Sequence, residues 1–261
     1  MELIKRFLIA IIFIPLLLAI FYLGGFSITA FFGMVVVIQH YEMREMFLSR
    51  HVILPKVILL LGASVYLAAA LFDLQTTMLA ITVTFIIILG NDLFTHDYHG
   101  AIQRISASLF MVIYSGLFSS TIVRIRSLPD GRFLIIALLS IIWITDSGAY
   151  FIGMRFGKHR GVFKASPNKS IEGFLAGFVF ALISGLATWF IFHRSLWVGF
   201  SLAVSVGIFG QLGDLMESVL KRDFGVKDSS QLLPGHGGLL DRFDSLLLAA
   251  PVFYLLQGLF F

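Results

Sequence analysis

The 261-residue chain contains no cysteine. That excludes a disulfide framework, a thiolate nucleophile and a cysteine-ligated zinc centre, so any chemistry must come from oxygens, nitrogens and bound ions. Charge is also scarce, at 13% of residues against about 25% in an average soluble domain. No polar stretch is long enough for a separate soluble domain, no repeat has a fixed period, and nothing is low-complexity. What fills the chain is apolar: 58% hydrophobic residues, 28 of them Phe, and a mean hydropathy of +0.95.

A bilayer core about 30 Å thick takes roughly 20 helical residues. Nine apolar runs approach that length, at about 7–23, 26–47, 54–72, 76–90, 102–123, 133–153, 173–192, 196–215 and 245–261. The expected fold is therefore all-α, a polytopic integral membrane helical bundle with about nine transmembrane helices. Run 76–90 is short and could be re-entrant. Lys5 and Arg6 ahead of the first run resemble the start of a signal peptide, but "YLGGFSITAFF" offers no small-residue cleavage site, so the run reads as a retained helix.

The net charge of +4 and a pI near 9.4 raise the question of nucleic acid, but the distribution of the charges points to membrane orientation instead. Threading nine spans from a cytoplasmic N-terminus puts fifteen of the nineteen Lys and Arg on the cytoplasmic side and leaves Arg124, Arg126, Arg132 and Arg194 outside. That asymmetry is the positive-inside pattern. Residues 1–132 are apolar helices with sparse loops, a possible packing or dimerisation region. Residues 133–261 carry the polar insertions and would hold any catalytic region, at the cytoplasmic face. Gly173, Gly177, Ala181 and Gly185 recur every fourth position along one helix face and allow close approach of another helix, either within the bundle or between subunits.

Asp146 and Asp214 sit within or at the end of apolar runs. An acid so placed costs about 2.5–3.5 kcal/mol on insertion scales and usually lines a polar cavity or pathway. In the nine-span threading, Asp146, Asp214, Asp241 and Asp244 arrive near one depth. Asp214, Glu217, Ser218 and Lys221 share a helical face by their i, i+3, i+4, i+7 spacing, and Asp241, Asp244 and Ser245 repeat the first three positions. Carboxylates and hydroxyls without a Cys or His pair suit a hard cation, Mg²⁺ first. A proton or sodium pathway through a transporter uses the same acids.

Glycines and cations favour the first reading. In "PGHGG", Pro234, Gly235, Gly237 and Gly238 make a turn whose amides can approach an anion, and Lys169 and Ser170 precede a helix N-terminus, a favourable phosphate position. Together with the acids, these features describe a nucleotide site on a membrane face. "GMRFGKH" is not a P-loop, since three residues separate Gly153 from Gly157 and no Ser or Thr follows Lys158. His236 either transfers a proton or simply bonds a phosphate or carboxylate. Asp92, His96, Asp97 and His99 read as a hydrated loop rather than a metal site. Lys221, Arg222 and Lys227 anchor the chain at the surface, attract an anionic lipid headgroup, or both.

The stretch "SVLKRDFGVKDSSQLLPGHGGLLDRFDS", residues 218–245, resembles the signature of the phosphatidate cytidylyltransferases, or CDP-diacylglycerol synthases. The matching positions are Ser218, Lys221, Arg222, Lys227, Asp228, His236, Gly237, Gly238, Asp241, Arg242 and Asp244. Upstream, Asp146 to Tyr150, Phe156 to Lys158, Ser166, Pro167, Lys169, Ser170, Glu172, Gly173, Gly213 and Asp214 are similar to that family too. The resemblance covers about residues 133–250. It implies an integral inner-membrane enzyme, expected to be a homodimer, that condenses CTP with phosphatidate to CDP-diacylglycerol and pyrophosphate. It further implies Asp214 and Asp241 as leading Mg²⁺ ligands, with Asp244 and Ser218 supporting that ion or a second cation. Lys169, Lys221, Arg222 and Arg242 would hold phosphates, and Asp146 and Tyr150 would line the cavity. The remaining readings are a CTP-dependent transferase for another lipid and a cation-coupled transporter.

Overall fold

The computed structural model describes residues 2–95, 98–232 and 237–259, with the side chains of residues 2–10 and 95 left aside. The described residues form helices and no β-strand. In chain order these are α1 (Glu2–Leu23), α2 (Gly25–Ser49), α3 (Ile58–Leu71), α4 (Leu74–Thr95), α5 (Ala101–Met111), α6 (Phe118–Ser127), α7 (Gly131–Phe156), α8 (Ile171–Phe190), α9 (Leu196–Val204), α10 (Gln211–Asp223) and α11 (Leu240–Gly258). A π-helical segment, Val112–Leu117, joins α5 to α6, and a second, Ser205–Gly210, joins α9 to α10.

Among the described residues, six stretches have the length and apolarity to cross a membrane: Gly25–Ser49, Leu74–Phe94, Ala101–Ser127, Gly131–Phe156, Ile171–Phe190 and Leu196–Asp223. The run expected to be short or re-entrant, 76–90, belongs to the 22-residue α4 and is long enough to span. Ile11–Leu23 and Ile58–Leu71 are apolar but shorter. The chain is an all-helical, multi-pass membrane protein.

Two compact units divide it, Met1–Ser127 with Asp228–Asp241, and Leu128–Lys227 with Arg242–Phe261. In the first unit, α3 packs against α2, α4, α6 and the π segment. Glycine makes this possible. A Cβ on Gly62 would lie 2.1 Å from His40 Nε2, and one on Gly116 would lie 2.9 Å from the Gly62 carbonyl oxygen. Arg124 donates to the Ala69 carbonyl at 2.7 Å and Arg126 to the Phe21 carbonyl at 2.9 Å, so α6 satisfies the open C-terminal carbonyls of α3 and α1.

In the second unit, α8 packs against α7, α9 and the second π segment. Its small-residue stripe is used there: a Cβ on Gly173 would meet the Ala149 carbonyl oxygen at 2.8 Å, one on Gly177 would meet Gln211 Oε1 at 2.5 Å, and one on Gly185 would meet the Gly199 carbonyl oxygen at 2.3 Å. The stripe packs this unit internally, and the subunit-face reading of these four positions falls away. Leu175, Val179, Ile183 and Leu186 are exposed on the same helix, as a lipid-facing surface requires.

Candidate functional site

The cavity that gathers the sequence-derived residues lies in the second unit. Its volume is about 530 Å³, and its lining includes Asp146 and Tyr150 from α7, Lys169 and Ser170 from the connection before α8, and Asp214 from α10. Local structure explains the convergence. Asp146 and Tyr150 are four residues apart, so one face of α7 presents both. Ser170 caps α8, its Oγ accepting from the Gly173 amide at 3.1 Å, which leaves Lys169 one residue ahead of a helix N-terminus. The Lys169 ammonium is ion-paired with the Asp214 carboxylate.

The second π segment widens the turn just before α10, and the Gln211 side-chain NH₂ donates to the Gly207 carbonyl at 2.5 Å and the Phe174 carbonyl at 3.1 Å. Gln211, Arg160 and Asn168 complete the polar lining and were not singled out from sequence. Their spacing carries no signal, because the connection before α8 supplies Arg160 and Asn168 and α10 supplies Gln211.

Asp244 belongs with this group, and its charge and that of Asp214 both bear on Asp146. Gly213 permits the approach, since a Cβ there would lie 2.5 Å from the Asp244 carbonyl oxygen. Lys221 is bound to the fully buried Glu217 at 2.9 Å. Ser218 stands one turn beyond Asp214 and is half-buried. Arg222 donates to the Ala165 carbonyl at 3.2 Å and the Val226 carbonyl at 3.1 Å, so its guanidinium holds loops together. Lys227 and Arg242 are exposed.

Asp241, Gly237 and Gly238 are placed in the first unit. One oxygen of Asp241 accepts from the Ser229 amide at 2.9 Å, the Ser229 hydroxyl at 2.8 Å and the Gly238 amide at 2.7 Å. Within the described part of the glycine turn, the Gly238 amide thus has a carboxylate partner. Gly237 adopts a φ of 76°, the left-handed region that glycine enters without strain. His236, together with Pro234 and Gly235, lies outside the described residues, as do His96 and Asp97.

Sequence reasoning passed over Glu42, on α2. It is 1% exposed and accepts hydrogen bonds from Ser229, Ser230, Leu239 and Leu240. The signal was available: Glu42 is an acid inside an apolar run, the same criterion that singled out Asp146.

Among the described residues, no three acidic or histidine side chains form a ready metal cage. Mg²⁺ is commonly bound through one or two carboxylates completed by substrate phosphates and water. Asp146, Asp214 and Asp244 lie within electrostatic reach of one another, with Lys169 paired to Asp214, Lys221 acting on Asp244 and Arg160 in the same lining; these carboxylates are the donor type that a hard divalent cation takes.

A model of the cytidylyltransferase family matches residues 4–260. A Staphylococcus aureus (strain COL) protein named phosphatidate cytidylyltransferase is 34% identical over 252 residues, covering 94% of each chain. A Bacillus subtilis (strain 168) protein of the same name is 43% identical over 178 residues, 66% of this chain and 63% of that one.

Proposed function

The chain belongs to the cytidylyltransferase family, and on that premise we propose that it condenses CTP with phosphatidate, releasing pyrophosphate and forming CDP-diacylglycerol. The observation that carries this reading is the cavity itself, where an ammonium, a capped helix N-terminus and carboxylates meet on the face of a membrane-spanning unit.

In the proposed reaction, an ionised phosphate oxygen of phosphatidate attacks the α-phosphorus of CTP. A new P–O bond forms, the bond to the bridging α,β-oxygen breaks, and pyrophosphate carries away the electron pair. Catalysis of this kind consists mostly of positioning and charge stabilisation. Lys169 and the positive end of the α8 dipole attract the triphosphate, and Asp146 and Tyr150 shape the cavity wall. Bound Mg²⁺ would neutralise charge on the transferring and leaving phosphates. Asp214 and Asp244 are the ligands we assign from the second unit, with Ser218 supporting. Asp241 keeps its ligand assignment from the signature, as Arg242 and Lys221 keep theirs as phosphate-binding groups. A second cation and a homodimer also belong to this reading.

The test is purified protein with labelled CTP and phosphatidate in mixed micelles, extracted for a lipid-soluble cytidine product. We expect product with Mg²⁺ and none in excess chelator, with turnover restored when Mg²⁺ is returned. Full turnover in chelator overturns the metal assignment. No lipid-soluble product from phosphatidate under any condition overturns the function, and product only from another lipid phosphate moves the chain to that substrate.

A further inference from the structure

Glu42 is buried in the wall of a membrane-spanning helix, where an unpaired carboxylate is expensive. Both of its oxygens are occupied. Oε1 accepts from the Ser230 hydroxyl at 2.6 Å and the Leu239 amide at 2.9 Å, and Oε2 accepts from the Ser229 hydroxyl at 3.2 Å and the Leu240 amide at 2.8 Å. All four donors come from residues 187 to 198 positions away in sequence. Leu239 and Leu240 are where α11 begins, so Glu42 also caps that helix from another element.

The Ser229 hydroxyl has a single proton, and it lies between Glu42 Oε2 and Asp241 Oδ2. Glu42 and Asp241 are therefore joined through one serine. Gly238 fits the same clamp, because a Cβ there would lie 2.1 Å from Ser229 Oγ and 2.4 Å from Glu42 Oε1. Any side chain at 238 would push the carboxylate off its donors. The second glycine of the signature is thus required by close packing against Glu42.

We propose that Glu42 is a positioning residue for the cytidylyltransferase reaction: its buried carboxylate clamps Ser229, Ser230 and the start of α11, and so fixes the orientation of Asp241. The inference rests on the reading under Proposed function for its kinetic consequence and on geometry alone for the clamp. Glutamine at 42 is the informative change. It keeps the shape, but one of its two terminal atoms becomes an NH₂ group facing donors. The Ser229 hydroxyl can turn away, whereas the Leu240 amide cannot.

The test compares Glu42→Gln, Ser230→Ala and, as a control, Ser115→Ala. Ser115 is buried in the same unit and donates to Gln39 at 2.7 Å, remote in sequence from the 228–241 segment. Each is made in the cysteine-free chain carrying Gln231→Cys, an exposed position within the clamped segment. Maleimide labelling of the detergent-purified protein reports the clamp without any turnover, and the Mg²⁺ concentration giving half-maximal turnover reports Asp241. For Glu42→Gln we expect several-fold faster labelling and a shift in that concentration of between about 10- and 100-fold. Ser230→Ala should give a smaller shift of the same kind, and serves alone if the Gln variant does not fold. Ser115→Ala should leave both measurements unchanged. Unchanged labelling in the variants overturns the clamp. Faster labelling with a Mg²⁺ dependence no different from the control overturns the positioning role and makes Glu42 purely structural. If the parent protein makes no cytidine lipid, the functional reading fails and the labelling arm still decides the clamp.

Discussion

Asp214 is the residue on which the cavity's charge balance turns. It is paired with Lys169, and both side chains remain about one-third exposed, at 33% and 36%. A pair so open contributes about 0–1 kcal/mol to stability, so its retention in an apolar environment points to chemistry rather than folding. Asp214→Asn keeps the shape and removes the charge. Turnover should fall by about two orders of magnitude while thermal unfolding in detergent stays close to wild type. Wild-type turnover would make Asp214 structural. At this scale the sequence was informative for Asp146, Tyr150, Lys169, Ser170 and Asp214, since local spacing and polarity mark each of them. For Glu42 it offered an acid inside an apolar run but not the partners almost two hundred positions away, and for Arg222 it did not show the two backbone carbonyls that accept from its guanidinium.

Helix existence was legible at the scale of elements, because nine apolar runs correspond to helical stretches from α1 to α11. The π segments were not, since a run that is apolar on every face has no periodicity for an extra residue to disturb. Each segment carries glycine at a close contact. Gly116 lies against Gly62, and Gly207 would place a Cβ 2.9 Å from that of Ala181. The stripe on α8 was legible as a packing face, but its partner was not. Gly185→Ala tests the partner now seen. The added Cβ would lie 2.3 Å from the Gly199 carbonyl oxygen and 3.0 Å from Ala203 Cβ, so backbone must move. Overpacking of this kind costs about 1–3 kcal/mol. The expected result is a lowered unfolding temperature by tryptophan fluorescence, with unchanged particle mass. A changed mass at wild-type stability would instead return the stripe to a subunit interface.

At the scale of the molecule, orientation in the membrane follows from α7 and the segments that flank it. Its 26 residues rise about 39 Å at 1.5 Å each, more than the hydrocarbon thickness of about 30 Å, so its two ends emerge on opposite sides. The connection after it, residues 157–170, carries Lys158, Arg160, Lys164 and Lys169, whereas the turn before it, residues 128–130, carries only Asp130. Basic residues near the ends of spans tend to stay cytoplasmic, and on that rule we expect the Lys169 end of the cavity on the inside. The chain has no cysteine, so single reporters can be introduced at Val162 and Pro129, both exposed and neither in the cavity lining. With a membrane-impermeant maleimide on sealed cells, Pro129→Cys should label directly and Val162→Cys only after permeabilisation. Labelling of Val162→Cys from outside would invert α7 and remove the cytoplasmic site. Because α8 leads back from the same connection, with 20 residues that rise about 30 Å, the inversion would extend to the start of α9.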